Sequence, residues 1–169
     1  MSSPIRIFKD TPVDVIKKWI DDGNDPTDVY CGIVTKVAYS KNFKALDYIL
    51  SDPIIEKFPR IPGYIGSIVA SAIHCGNLDV IKYLLSGKNS KKIPDIDPCK
   101  SNNYWIRQSC IMNHADIVQY LLEEQSHKFP KLKDVLYDTE LLKILEYNKQ
   151  YDLIEYLQQA RTKFHLNNK

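Results

Sequence analysis

The four cysteines of this 169-residue chain include no Cys-x-x-Cys pair, and its six glycines are scattered singly. The first absence leaves the commonest spacing of a zinc or dithiol site unfilled. The second leaves no phosphate-cradling loop and no dinucleotide fingerprint. Long apolar runs are missing too. The longest stretch without Asp, Glu, Lys or Arg, from Ile61 to Leu78, contains Pro62, Gly63, Gly66, His74, Gly76 and Asn77, where a membrane span would be far more apolar. The opening Met1-Ser2-Ser3-Pro4-Ile5-Arg6 is too polar for a secretory signal. The expected compartment is therefore the cytoplasm, where thiols stay reduced. Charge of one sign is also scarce. The net of +2 falls short of the strongly basic balance of a domain that lives on phosphate contacts. With 44% apolar and 26% charged residues, the chain nonetheless lies well inside the folded range.

What is present is a repeat. Tyr48, Tyr83, Tyr120 and Tyr156 are separated by 35, 37 and 36 residues, each within a phrase such as Val80-Ile81-Lys82-Tyr83-Leu84-Leu85. A period of this size marks one supersecondary unit stacked on copies of itself. Aligning outward, Lys41, Gly76, Asn113 and Lys149 share a place, as do Val37, Ala72, Ser109 and Leu145, then Ala38, Ile73, Cys110 and Glu146. Ile33, Ile68, Trp105 and Leu141 align before them. Each unit reads as an apolar helix, a tight turn and a second apolar helix. The second helix is apolar on two stripes, which suits burial between neighbours on either side. A truncated copy, Val13 to Ile20, opens the series. The expected organisation is one domain, 1–169, with a partial unit at about 8–30, units at about 31–65, 66–102, 103–138 and 139–162, and a polar tail. In that frame the tyrosines are packing residues whose hydroxyls reach water or a carbonyl at the core edge.

The segment Ser71-Ala72-Ile73-His74-Cys75-Gly76-Asn77-Leu78-Asp79-Val80-Ile81-Lys82-Tyr83-Leu84-Leu85 resembles an ankyrin repeat, and Asn113 to Leu122 is similar, with His114 in the family's turn-histidine place. Ile-x-Tyr-Leu, with Asn103-Tyr104-Trp105-Ile106-Arg107, resembles the divergent ankyrin proteins of giant DNA viruses. No unit carries the family's Thr-Pro-Leu-His opening. The resemblance implies an all-α, ankyrin-like solenoid of stacked helix-turn-helix repeats that binds a protein (a host protein if the chain is viral). It also implies that the exposed side of the first helices forms a concave face. The alignment places Tyr39, His74, Gln108, Ile111, Met112, Ile144 and Tyr147 there, and Tyr39, Ile111, Met112, Ile144 and Tyr147 are large apolar or aromatic residues without a packing duty. The long connections after the second, third and fourth units, with their prolines, are where such a protein projects hairpins or loops.

Other chemistries have weaker support. Cys110 and His114 are four apart and His74 adjoins Cys75, so a mixed Cys/His zinc site or a Cys–His nucleophile is conceivable. The register instead assigns Cys110 to packing and His114 to the turn. Asp14, Asp79, Asp116 and Asp152 fall at one repeat position near the start of the second helix, where an acid faces the positive end of the helix dipole. Lysines cluster at Lys88, Lys91 and Lys92, at Lys128, Lys131 and Lys133, and with Arg161 at Lys163 and Lys169. Nucleic-acid binding is the first alternative to a non-catalytic protein-binding role; a metal protein or Cys/His enzyme is the second. No cofactor, small-molecule substrate or membrane partner is expected.

Overall fold

The computed structural model describes residues 5–28, 32–86 and 96–166. The fold is all-α, with 71% of the described residues in helix and no strand among them. Among these residues ten α-helices follow in order: α1 Val13–Asp21, α2 Ile33–Tyr39, α3 Phe43–Ile49, α4 Asp52–Lys57, α5 Ile65–His74, α6 Leu78–Leu85, α7 Lys100–Ile111, α8 Ala115–Tyr120, α9 Thr139–Tyr147 and α10 Tyr151–Leu166. They divide into two compact units, residues 1–96 and 97–169.

Four of these helices end identically. Lys41, Gly76, Asn113 and Lys149 all take the left-handed conformation, with φ of 57°, 61°, 59° and 58°. In each turn the left-handed residue's N–H bonds back three residues, to the carbonyls of Ala38, Ile73, Cys110 and Glu146. The next N–H bonds back five, to Val37, Ala72, Ser109 and Leu145. This pair of bonds is the Schellman arrangement, which satisfies carbonyls that a helix end would otherwise leave bare. Glycine enters it freely and asparagine readily, whereas Lys41 and Lys149 adopt it at a steric cost of about 1–2 kcal/mol. The turn residues aligned from sequence are thus the same residues in backbone geometry, and α2–α3, α5–α6, α7–α8 and α9–α10 are equivalent hairpins.

In the first unit, α2 packs on α3 and α5, and α5 packs on α6. The core takes Ile33, Val34, Val37 and Ala38 from α2 and Ile68, Val69, Ala72 and Ile73 from α5. The second helices bury adjacent pairs one turn apart, Ala45-Leu46 with Ile49-Leu50 and Val80-Ile81 with Leu84-Leu85. That width of apolar face is what burial against two neighbours requires. The truncated copy α1 buries only Ile16 and Ile20. Asn42 and Asn77 cap α3 and α6 by accepting the N–H of Ala45 and Val80. Their amides also reach the preceding segment: Asn77 donates to the Ala38 carbonyl at 3.3 Å, and Asn42 to the carbonyls of Thr11 and Phe8 at 2.8 and 3.1 Å.

In the second unit, α7 packs on α8 and α9, and α9 packs on α10. Cys110 and Ser109 are fully buried, the Ser109 hydroxyl donating to the Trp105 carbonyl at 2.7 Å. A π-helical turn, Leu121–Gln125, extends α8. The first turn within the α7 range is left-handed, through Ser101, Asn102 and Asn103, and the right-handed helix follows it. Asn tolerates that conformation best after Gly, and the Asn103 amide donates to the Lys131 carbonyl at 2.8 Å. Gln150 sits where Asn42 and Asn77 do and donates to the Ile111 carbonyl at 3.0 Å.

The expected projecting connections are not found in two of the three places. After α2–α3 the chain folds into α4 and a 3-10 helix, Ile61–Tyr64, burying Ile54, Ile55 and Ile61. After the fourth helix pair's predecessor, α7–α8, it forms a 3-10 helix, Pro130–Tyr137, that buries Leu132, Val135 and Leu136 against α7 and α10. Apolar residues spaced at helical intervals inside these connections explain the difference: once sequestered, they pull the chain inward. Most of the third connection, 87–95, with Lys88, Lys91 and Lys92, lies outside the described residues.

Candidate interaction face

The first helix of each hairpin has one side turned to its partner helices and the other left free. Tyr39, His74, Ile111 and Tyr147 are the last residues of α2, α5, α7 and α9, one place repeated four times. In the first unit Tyr39 is 67% exposed, and His74 and Cys75 are exposed with it. Because α2 and α5 touch, Tyr39 and His74 occupy matching heights on neighbouring helices.

The second unit presents the larger apolar surface. Tyr147 is 88% exposed, Met112 40% and Ile144 37%, while Gln108 and Ile111 are half-buried. Gln108 matches Ile144 in register and Ile111 matches Tyr147, on helices α7 and α9 that pack together. The Gln150–Ile111 hydrogen bond fixes the α9–α10 turn to the end of α7. All seven expected face residues therefore lie outside the core. Tyr151 is a further large exposed side chain, 64% exposed at the start of α10. Its register is that of Phe43, whose ring lies 5.7 Å from that of Tyr83.

The repeated tyrosines have a different role. The Tyr83 hydroxyl donates to Asp47 Oδ1 at 2.6 Å, and the Tyr156 hydroxyl to Glu123 Oε1 at 3.2 Å. Each reaches a carboxylate on the second helix, or its π-turn extension, of the preceding hairpin. Burial, then the carboxylate partner, raises the pKa of both phenols. Tyr120 is buried and accepts from Gln125 Nε2 at 3.0 Å, and Lys17 Nζ stands 5.5 Å from the Tyr48 ring centre. The expected water or carbonyl partners are replaced, at Tyr83 and Tyr156, by carboxylates.

No three His, Cys, Asp or Glu side chains among the described residues group closely enough to hold a metal ion. Burial pushes the Cys110 thiol up to about 12; burial and then Asp97 push Cys99 up to about 11. Neither is a ready thiolate at neutral pH. Cys75 is exposed, and Cys31 lies outside the described residues. His114 occupies the cap position of α8, with a buried Nε2 lacking a hydrogen-bond partner.

No family model, curated protein or solved structure matches the chain. Among the described residues no helix is long and apolar enough to cross a membrane.

Proposed function

We propose that the chain is a non-catalytic protein-interaction module built from ankyrin-like helix-turn-helix units, binding its partner on the free side of the first helices. The observation that carries this reading is the exposure of Met112, Ile144 and Tyr147 on the neighbouring helices α7 and α9. Large apolar side chains at interface cores supply much of the energy of association, and here they stand on elements held by register-specific backbone hydrogen bonds. Tyr39 and His74 offer the corresponding positions in the first unit. A rigid scaffold with apolar anchors loses little conformational entropy on binding.

The test is Met112→Asp combined with Tyr147→Ser, both exposed. Partner capture from lysate is quantified by mass spectrometry against the unaltered chain, with melting temperatures measured in parallel. Selective loss of one or a few proteins at an unchanged melting temperature is the expected result. An unchanged capture profile would remove the face from consideration.

A further inference from the structure

Two stretches carrying basic residues, about thirty residues apart in sequence, meet in the second unit. The Pro130–Tyr137 3-10 helix lies against α10, and two cation–ring contacts join them: Lys133 Nζ is 4.5 Å from the Phe164 ring centre, and the Arg161 guanidinium 4.7 Å from that of Tyr137. Lys128 and Lys131 lie on or just before that 3-10 helix and Lys163 on α10, all three exposed, so that the two touching elements carry five cations. Among the described residues none of these five cations forms an ion pair or side-chain hydrogen bond. Asp134 is the one acidic residue within the two stretches 128–137 and 158–166. The backbone of Lys131 is pinned by the Asn103 amide, so the cluster is held in place before any ligand arrives. It lies toward the far end of α10 from Tyr151, Arg161 being about 15 Å along the helix from it.

We propose that this cluster is a second binding surface, for an acidic segment of a protein. The charge distribution selects that class. Residues 97–169 carry ten basic and ten acidic side chains, and the remainder outside the cluster holds five basic against nine acidic. A nucleic acid carries a charge about every 1.7 Å of duplex and would continue beyond the cluster onto the acidic remainder. A short run of Glu and Asp ends where the cations end. The exposed ring of Tyr137 (51%) adds apolar contact for the segment's backbone and methylenes.

The inference does not depend on the face proposed above. The probe is a fluorescein-labelled peptide of alternating Glu and Gly, followed by anisotropy on the full chain, beside an alternating Gln and Gly peptide and an oligothymidylate of equal formal charge. The expected result is saturable binding of the Glu peptide that weakens between about 50 and 200 mM salt. Lys131→Glu with Lys163→Glu should weaken it roughly tenfold or more at an unchanged melting temperature, while Met112→Asp with Tyr147→Ser leaves it intact. If the reversal lowers the melting temperature, Lys131→Gln with Lys163→Gln must still weaken binding at least about threefold. Equal binding of the Gln peptide, tighter binding of the oligothymidylate, or indifference to both lysine pairs would overturn the proposal.

Discussion

Tyr83 shows what the recurring tyrosine contributes. Its ring is half-buried beside Phe43, and its hydroxyl spans to Asp47, thirty-six positions earlier. Because the bond is solvent-facing, Tyr83→Phe should cost about 0.5–1.5 kcal/mol, toward the lower bound, in urea denaturation. The pH dependence has a definite sign. The folded phenol keeps its proton to a higher pH than the unfolded one, so the folded state binds more protons above the ordinary tyrosine value. This contribution is whole below about pH 10 and lost as pH rises beyond it. Tyr83→Phe should therefore make the alkaline fall in stability shallower. An identical fall in both proteins would show that burial and the Asp47 bond do not hold the proton on the folded phenol.

At the scale of elements, Asn42, Asn77 and Gln150, each just before a second helix, also tie that hairpin to what precedes it. Asn42 is 5% exposed and uses its side-chain oxygen on the Ala45 N–H and both amide hydrogens on the Phe8 and Thr11 carbonyls. Asn42→Ala should cost about 2–4 kcal/mol, a cap worth about 1 together with two buried bonds. Asn42→Asp separates the two roles. Aspartate can still cap α3, yet it turns a carboxylate oxygen toward two carbonyl oxygens. It should lose about 1–3 kcal/mol at neutral pH. Wild-type stability for the Asp variant in chemical denaturation would reduce Asn42 to a helix cap.

For the whole molecule, each compact unit contains one tryptophan, Trp19 in the first and Trp105 in the second, so fluorescence reads them separately. Trp105 is 7% exposed, and α10 contributes Leu153, Ile154, Leu157 and Ala160 to the same unit's core. Removing residues 153–169 should expose the α7–α9 core, shift the emission of Trp105 (with Trp19→Phe as background) to the red, and cause aggregation. Removing only 165–169 takes away an exposed His165 and Leu166 and should change stability by less than about 0.5 kcal/mol. Unaltered Trp105 emission after the longer truncation would mean that α10 is dispensable to the unit.

The residues themselves determine the local grammar of this chain. Helix pairs, their apolar faces and the four left-handed turns are set by interactions within a few positions, so Lys41, Gly76, Asn113 and Lys149 could be matched by spacing and then found with one backbone geometry. The free side of the first helices was legible for the same reason: a helix period assigns Tyr39, Met112 and Tyr147 away from the packed stripe. Long-range packing decided the rest. Ile54, Ile55, Leu132 and Val135 fold two connections into helices because a core exists to receive them, which no local pattern of prolines announces. The carboxylates met by Tyr83 and Tyr156 stand more than thirty residues away. The rings that Lys133 and Arg161 meet, at Phe164 and Tyr137, also belong to a different element from the cation. Such pairings depend on how hairpins dock, a choice made by the summed burial of many side chains and carried by no single one of them.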